Sequence, residues 1–560
     1  MTEAGAQKRG VVKAPSIDVD AAIRKLNNLK TARAGWEPTW RDIATYILPR
    51  RTMDDTNKPE GKDLRHGMFD SAAEKANNRL ASVIASMLTG TSTKWFIPKI
   101  IFDDGQAIKD KTVNDILQRY SETIRDIALD YINDSNFTQS ADELYLDMGG
   151  IGTGIMLILE SKSKRKPLLF KTLPIGECYV AEDADGIINT LYRVYSEELS
   201  KLVEEFGLDA LSEGSRAKFQ QNPQEKIEIL HVIEPRLFWA NKPRSSREYP
   251  VASVYIEVST KHVLSESGFK SFPVVCPRWR KASGESYGRG PGHEALADIK
   301  TLNELVFTYL NVGHRAIEPP LDVEEDSYIG PLDLSPLAVN IRQRGHEPAR
   351  PLVTNVTSQA DIHFLVERYS NSVRESFFWH NLTLVENDRM TATEVIQRTT
   401  ENLRVLGPTF GRFMTEFLEP LVRRVLAILA DKRLLPDPPL ELSGLDYRVE
   451  YESPLARAMR ASDLQAIERS IMTVAPILQI KPDVIDNVNL DDVTRDVFLL
   501  NGVSAHRLLS HKQVEAIRGE RAKMMAQEMA LRQAELAAKT SKDMSQADPE
   551  DGLLGMVMRR

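Results

Sequence analysis

The sequence contains only two cysteines, Cys178 and Cys276, among 560 residues. A disulfide framework and a cysteine-ligated zinc site both need more thiols than this, so neither can hold the fold together. Long apolar runs are also missing, since the best candidate, 151–159, is far shorter than the roughly 20 residues that a membrane-spanning helix needs. No apolar core follows the basic residues near the start, which argues against a secretory signal. These absences predict a protein made in a reducing compartment and without a membrane partner.

Neither sign of charge dominates the chain. The 80 Asp and Glu residues exceed the 72 Lys and Arg residues by eight, giving a formal net charge of −8. This mild acidity argues against a protein that grips nucleic acid over its whole surface, but it is compatible with one that lets nucleic acid pass. The hydrophobic fraction of 42% and the charged fraction of 27% are typical of globular proteins and exclude wholesale disorder.

Phosphate-binding loops are absent from the sequence. The pair Gly61-Lys62 is followed by Asp63 and lacks the glycine five residues earlier that a nucleotide-hydrolysing motor needs. The run 149–154 is rich in glycine, but it follows a helical pattern and has Ile155 at the place of the third glycine of a dinucleotide loop. We therefore interpret this run as a tight turn from a helix into a strand.

Other catalytic patterns fail in the same way. His293-Glu294 has no second histidine four residues later, and the acidic run 324–326 is more typical of a solvated turn than of a metal site. We therefore predict that the protein is not an enzyme and needs no cofactor or metal.

Apolar periodicity predicts an α+β chain that is mainly helical. Ser71 and Glu74 have the spacing of a capping box at the start of one helix. The helices are predicted at 18–34, 41–47, 72–89, 112–133, 137–148, 196–206, 292–315, 359–381, 391–435, 455–478 and 510–539. The strands are predicted at 155–160, 168–173, 187–195, 227–235, 252–258, 274–279, 339–342 and 440–452.

Two of these helices, 292–315 and 359–381, flank an insert rich in proline and glycine. Each has one apolar stripe, and together they predict an antiparallel hairpin. One hairpin cannot cover both stripes. Copies stacked side by side in a closed, head-to-tail ring would cover them.

Several short segments, in this order and spacing, resemble the head-to-tail connector (portal) proteins of short-tailed, T7-like bacteriophages. The resemblance extends from about residue 36 to 435, and 455–560 contribute little to it. The segments are 40–44 (WRDIA), 46–49 (YILP), 69–73 (FDSAA), 88–90 (LTG), 94–96 (KWF), 152–154 (GTG), 286–292 (SYGRGPG), 302–303 (LN), 389–395 (RMTATEV), 406–408 (LGP) and 416–421 (EFLEPL).

The resemblance implies the portal fold, assembled as a closed ring. Its layout would divide the chain into an N-terminal arm and helix (1–35), a wing (36–285), a stem helix (286–315), a clip (316–358), a second stem helix (359–382), a channel loop (383–390), a kinked wing helix (391–435), a strand connection (436–454), a helical crown (455–540) and a disordered tail (541–560).

The resemblance also implies a function. Twelve subunits would form a ring at a unique capsid vertex of the virion, after synthesis in the host cytoplasm. Double-stranded DNA would pass through the ring during packaging and ejection, without sequence preference. The ring would dock the terminase large subunit and then the tail adaptor and nozzle proteins, beside the major capsid and scaffolding proteins.

Two groups of residues are candidates for contacts. The loop that would face the DNA consists of Glu386, Asn387, Asp388 and Arg389, whose acids would balance the arginine. The clip would present Arg342, Arg344 and Arg350. These arginines form either a docking patch or a solvated strand edge, where charge discourages stray pairing.

Two other functions stay open at this point. One is a DNA-packaging ATPase or nuclease, which the missing phosphate loop disfavours and which an ATPase assay would detect. The other is a virion scaffold protein without a pore, which would show no central hole in electron micrographs.

Overall fold

A computed structural model describes residues 17–49, 67–91, 94–96, 98–102, 111–163, 165–236, 245–335, 338–352, 358–379, 407–439, 447–451, 469–470, 472–473, 476, 489–500 and 507–546. The chain forms two compact units. Unit 1 contains Met1–Trp95 and Ala128–Leu434, and unit 2 contains Phe96–Ile127 and Leu435–Arg560. Residues 96–127, which the sequence analysis assigns to the wing, therefore group with the C-terminal part of the chain.

The described helices carry the apolar periodicity that predicts most of them. They are α1 (Val19–Arg33), α2 (Glu37–Tyr46), α3 (Ala72–Thr89), α4 (Lys111–Asn133), α5 (Phe137–Gly150), α6 (Leu199–Phe206), α7 (Glu213–Gln221), α8 (Pro291–Ile317), α9 (Ser358–Ser376), α10 (Gly407–Phe413), α11 (Glu419–Asp431), α12 (Leu490–Leu500) and α13 (His511–Gln546). A π-helical turn, Met414–Leu418, joins α10 to α11.

The described strands pair in antiparallel fashion throughout. They are β1 (Pro98–Phe102), β2 (Met156–Glu160), β3 (Leu168–Thr172), β4 (Cys178–Glu182), β5 (Ile188–Glu198), β6 (Lys226–Pro235), β7 (Val251–Glu257), β8 (His262–Phe269), β9 (Val274–Val275), β10 (Leu321–Asp322), β11 (Arg350–Pro351) and β12 (Tyr447–Tyr451). The predicted mixture of helix and sheet is confirmed.

Unit 1 contains a five-stranded sheet in the order β4-β5-β6-β7-β8 and a three-stranded sheet in the order β3-β2-β9. Both faces of the larger sheet are partly covered, because side chains alternate across a strand. On β6, Leu230 lies in a core cluster with Leu26 of α1, and Ile229 lies in another with Leu202 of α6.

Three elements of this region escaped the sequence analysis: β4, β8 and α7. Strand β8 has the polar sequence HVLSESGF and α7 has the polar sequence EGSRAKFQQ, so neither shows a strong apolar period. In both cases, packing on the neighbouring sheet decides the conformation where local pattern does not.

Some local predictions were wrong. Ser71 makes no side-chain cap, and the Asp70 carboxylate instead accepts a hydrogen bond from the Ala72 N–H. Residues 339–342 form no strand, since Arg342 makes only an isolated bridge to Tyr328. Helix α13 extends to Gln546, six residues into the segment predicted to be a disordered tail.

Unit 2 is joined by contacts between residues far apart in sequence. Strand β1 pairs with β12, with Pro98 opposite Tyr451. The buried Asp115 carboxylate accepts hydrogen bonds from Arg495 and from both the backbone N–H and the imidazole of His511 (2.8–3.1 Å). This carboxylate therefore caps the first turn of α13, where the helix dipole favours negative charge.

In unit 1, two glycine-rich segments meet at the N-terminal end of α8, which we call its root. Gly152 has a positive φ of +87° at the turn between α5 and β2, and a Cβ there would lie 2.1 Å from the backbone nitrogen of Gly290. The Gly288 N–H donates to the Thr153 hydroxyl at 2.8 Å. The predicted helix-to-strand turn is confirmed, and its residues also contact the backbone just before α8.

Aromatic and polar contacts surround this root. The rings of Trp40 and Tyr287 meet edge to face with centroids 5.1 Å apart. The Asn303 side chain of α8 accepts from the Phe69 N–H (2.7 Å) and donates to the Gly67 carbonyl (3.1 Å). Segments of the sequence that resemble the portal family thus meet along the first half of α8.

A buried arginine next to the root links it to the π-helical turn. Arg278 is almost fully buried and forms a bidentate pair with Glu416, through Nε (3.0 Å) and Nη2 (2.8 Å). The same guanidinium also pairs with Glu182 of β4. A buried charge of this kind is tolerated because both carboxylates and its hydrogen bonds compensate it.

The first prediction compares one substitution at two positions of α8. Alanine favours a helix over glycine by about 1 kcal/mol, so Gly313→Ala, whose new Cβ meets no atom within 4 Å, should raise the Tm. Gly292→Ala should instead lower it, since its Cβ would lie 2.3 Å from the Gly150 carbonyl oxygen. Thermal melts of both variants measure the two changes in Tm. If both changes have the same sign, the close approach of Gly292 to the Gly150 carbonyl oxygen is contradicted.

The second prediction concerns the buried His231 of β6. Its imidazole stacks on Tyr255 with centroids 3.9 Å apart and bonds the Ser253 hydroxyl, and burial lowers its pKa to about 3. In the unfolded chain the pKa is about 6.5, so the stability that neutral His231 contributes is full above pH 6.5 and is lost progressively as the pH falls towards 3. Between pH 7 and 5 this group should reduce the free energy of unfolding by about 2 kcal/mol.

His231→Phe should therefore lower the Tm at pH 7, through loss of the Ser253 bond, yet narrow the difference in Tm between pH 7 and 5. The exposed His262 offers the control, and His262→Gln should leave that difference unchanged. If the Tm of His231→Phe differs between pH 7 and 5 as much as the Tm of the wild-type protein does, the buried neutral imidazole is not the source of the pH dependence.

Candidate functional site: the helical hairpin and its tip

Helices α8 and α9 form the antiparallel hairpin that the sequence predicts. The Ser372 hydroxyl of α9 donates to the Asp298 carboxylate of α8 at 2.7 Å, and farther along the pair the rings of Tyr309 and His363 lie 6.4 Å apart. At 1.5 Å per residue, α8 is about 40 Å long. The hairpin is therefore a rod that extends well beyond its root.

Burial along this rod is uneven. Near the root, the buried apolar side chains are Ala295, Ile299 and Leu302 of α8, Val373 of α9, and Phe377, which directly follows α9. Farther out, the exposed apolar side chains are Phe307, Leu310, Ile317 and Phe364, with Ile317 81% exposed. The stripe that the sequence shows on each helix is thus covered at one end and open to water at the other.

The tip between the two helices, residues 318–352, carries little regular structure. Strands β10 and β11 close its base, with Asp322 opposite Arg350. Its exposed large apolar side chains are Val323, Ile329, Leu334, Val339, Ile341 and Leu352. Exposed apolar side chains typically mark a protein–protein contact where they form one patch.

Hydrogen bonds order the tip although it is exposed. The Asp333 carboxylate accepts from the Ser335 N–H at 2.9 Å, and the Asn340 side chain bonds both the N–H and the carbonyl of Asp333. Hydrogen bonding by Ser335 holds the pKa of the Asp333 carboxyl below its ordinary value. The exposed apolar residues are therefore presented by a loop with internal structure.

The predicted clip arginines all lie on this tip and are exposed. Arg350 pairs with Glu347. Arg342 forms the bridge to Tyr328 through its backbone, which leaves its side chain facing solvent. The structure places the three arginines on one loop, and their role in docking stays a prediction.

The predicted channel loop, Glu386, Asn387, Asp388 and Arg389, lies outside the described residues. The nearest described elements are α9, which ends at Ser376, and α10, which begins at Gly407.

Negative charge prevails over the hairpin and its tip. Residues 291–376 contain thirteen Asp and Glu against seven Lys and Arg. Most of the excess is on the tip, which has seven carboxylates and three arginines. Polyanions would be repelled by this surface rather than held by it.

Sequence reasoning missed the exposed apolar residues of the tip. Val339 and Ile341 alternate with polar residues, and this period predicts a half-buried strand. Val339 is in fact 89% exposed. The alternation indicates that the two side chains share one face, but nothing in the local sequence shows whether the rest of the chain covers that face.

No metal-binding cluster of His, Cys, Asp and Glu occurs among the described residues. In the same part of the chain, no helix is long and apolar enough to cross a membrane. The described residues of the hairpin and tip thus provide no set of metal ligands.

Comparison with known proteins gives two relatives of nearly the same length. The portal protein of Salmonella phage epsilon15 is 28% identical over 546 residues, which cover 94% of this chain and 96% of that protein. The probable portal protein of Bordetella phage BPP-1 is 29% identical over 528 residues, covering 91% and 92%. Among solved structures, a chain of the virion of a native gene transfer agent particle covers 79% of this chain and 94% of its own length, with 12% identity and a TM-score of 0.32, too low to support an argument.

A comparison with protein families matches residues 19–509 to the family described as bacteriophage head to tail connecting protein. This match covers most of the chain, including the hairpin and the tip. The chain therefore belongs to the bacteriophage head-to-tail connecting proteins, a family of structural portal proteins and not of enzymes.

Proposed function

We propose that twelve copies of this chain close into a ring at a unique capsid vertex and form the channel through which double-stranded DNA is packaged and ejected. The observation that carries this proposal is the apolar surface left open on the outer half of the α8–α9 hairpin and on its tip. Burying such surface stabilises an assembly by about 25 cal/mol per Å². A head-to-tail ring buries it on every subunit and leaves no open end.

The family's layout then assigns a role to each part of the chain. Residues 36–285 with the kinked helix 391–435 form the wing, 286–315 and 359–382 the stem, 316–358 the clip, 383–390 the channel loop and 455–540 the crown. In this arrangement the tip faces the terminase large subunit during packaging and the tail adaptor and nozzle proteins afterwards. Capsid and scaffolding proteins contact the ring inside the virion, after its synthesis in the host cytoplasm.

The charge of the hairpin suits passage rather than binding. DNA carries about one negative charge per 1.7 Å of duplex, and cationic contacts to it are strong and salt-dependent. Twelve copies of a stem and clip in which carboxylates outnumber cations would not hold the duplex. Within the channel loop, Glu386 and Asp388 balance Arg389 in the same way.

The third prediction tests ring closure through the open apolar stripe. Leu310→Asp combined with Ile317→Asp should shift the ring towards monomers, because each residue contributes about 1.5–3 kcal/mol when buried and a carboxylate resists burial. Leu208→Asp, at an exposed apolar position outside the hairpin, is the matched control and should still form rings. Native mass spectrometry gives the subunit number, and end-on electron micrographs show the central hole.

Two results would contradict the proposal that the chain forms a ring. One is a wild-type chain that stays monomeric at high concentration. The other is a doubly substituted hairpin that assembles as well as the wild-type protein does.

The fourth prediction concerns the clip arginines. Changing Arg342, Arg344 and Arg350 to Glu should abolish binding of the terminase large subunit in a pull-down with purified proteins, while the ring mass stays the same. Arg24→Glu, at an exposed arginine of α1, is the control and should retain binding. If the triple variant loses the ring itself, the arginines are contacts between subunits instead.

A further inference from the structure

One segment of the tip, residues 339–343, has the pattern of a strand but few of its contacts. Val339 and Ile341 alternate with polar residues, as in a half-buried strand. In the structure this segment belongs to none of the described sheets, and it makes one antiparallel bridge, between Arg342 and Tyr328. We call the segment the tip edge. The single chain thus supplies only part of the pairing that the pattern predicts.

The hydrogen bonds beside this bridge determine which backbone groups face outward. The Ile329 N–H donates to the Ile341 carbonyl at 2.9 Å, and the Gln343 N–H donates to the Ser327 carbonyl at 3.0 Å. Because successive peptide groups of a strand point to opposite sides, the N–H and C=O groups of Arg342 face away from the paired segment. Within the described part of the chain these two groups form no hydrogen bond.

The side chains of the tip edge are exposed as well. Val339 is 89% exposed and Ile341 is 62% exposed. The two share one face, because side chains alternate along an extended segment, and the exposed Arg342 lies on the opposite face. A strand edge that is apolar, exposed and unpaired is a template for pairing with another chain.

The charge of this stretch is opposite to that of the tip as a whole. Between Asp333 and Glu347 the sequence has two arginines and no carboxylate. Arg350 pairs with Glu347, whereas neither Arg342 nor Arg344 forms an ion pair with any described residue. Carboxylates on a strand placed along the tip edge would therefore find uncompensated cations opposite them.

A second copy of the tip edge does not have this chemistry. Two such edges paired with each other would bring arginines close to arginines, and like charges on paired strands are destabilising. The charge pattern therefore favours an extended segment of a different protein, one that bears carboxylates.

We propose that the tip edge binds an extended segment of a docking protein as an added strand, and that apolar residues alternate with carboxylates along this segment. The inference rests on the proposed docking role of the tip and names the partner chemistry that fits it. Main-chain hydrogen bonds to Arg342 give affinity, and alternate side chains give specificity, as in other complexes formed by strand addition. The apolar residues of the partner cover Val339 and Ile341, and its carboxylates meet Arg342 and Arg344.

The fifth prediction uses a labelled, capped peptide, TVEVEVT, as a probe on the purified full-length protein. In fluorescence anisotropy it should bind saturably and about tenfold more tightly than TVKVKVT, because the cross-strand charge pairs change sign between the two peptides. Changing Arg342 and Arg344 to Glu should reverse the preference. Arg24→Glu, at an exposed arginine of α1, should leave the preference as it is in the wild-type protein.

Backbone pairing has its own test, in which TVEVEVT is N-methylated either at its valines or at its glutamates. The N–H groups of alternate residues point to opposite edges of a strand. Only one of the two methylated peptides should therefore lose binding, and its identity shows whether the added strand is parallel or antiparallel.

The apolar face is tested by combining Val339→Thr with Ile341→Thr. The Tm should not change, since both side chains are exposed, but binding of TVEVEVT should weaken about fivefold or more through loss of apolar contact. Val323→Thr changes another exposed apolar residue of the tip, outside the tip edge, and should bind like the wild-type protein.

The proposal fails if TVEVEVT and TVKVKVT bind alike, or if the two N-methylated peptides keep or lose binding together. It also fails if TVEVEVT binds the variant with Leu310→Asp and Ile317→Asp but not the wild-type ring, because a neighbouring copy, for example through its β10, then occupies the tip edge. A wild-type chain that stays monomeric would contradict the ring, but its binding of TVEVEVT would still uphold the tip edge.

Discussion

The backbone contact between Gly152 and Gly290 determines where the hairpin starts and in which direction it extends. At 2.1 Å from Gly290 N, a Cβ on Gly152 has no room, and its positive φ of +87° favours glycine in any case. The contact joins the turn after α5 to the first turn of α8. Because α8 is a stiff rod, a small change at this end would be magnified at the tip about 40 Å away.

From this root the hairpin leaves the core of its own unit. The fully buried apolar side chains lie on its inner half, whereas apolar side chains of the outer half and the tip are partly or largely exposed. A monomer with this surface would be prone to aggregation, whereas the proposed closed ring would bury the same surface in its interface. The excess of carboxylates on the same elements is compatible with a channel in which DNA moves.

Glu416 connects the segment beside the hairpin root to the helix that carries the π-helical turn. It pairs with Arg278 and lies 3.8 Å from Arg412. Charges in a buried site are little screened, so this one carboxylate stabilises the contact between the two parts of unit 1.

Periodicity along the chain was sufficient to predict most helices, most strands of the β-rich region and the hairpin, since these depend on local spacing of apolar residues. The family, too, was visible from short segments such as 286–292. The pairing of β1 with β12 was not, because it joins residues about 350 positions apart and no local pattern encodes such a register. The meeting of the two glycine-rich segments and the exposure of Val339 also depend on which parts of the chain pack together, and the local sequence does not encode that packing.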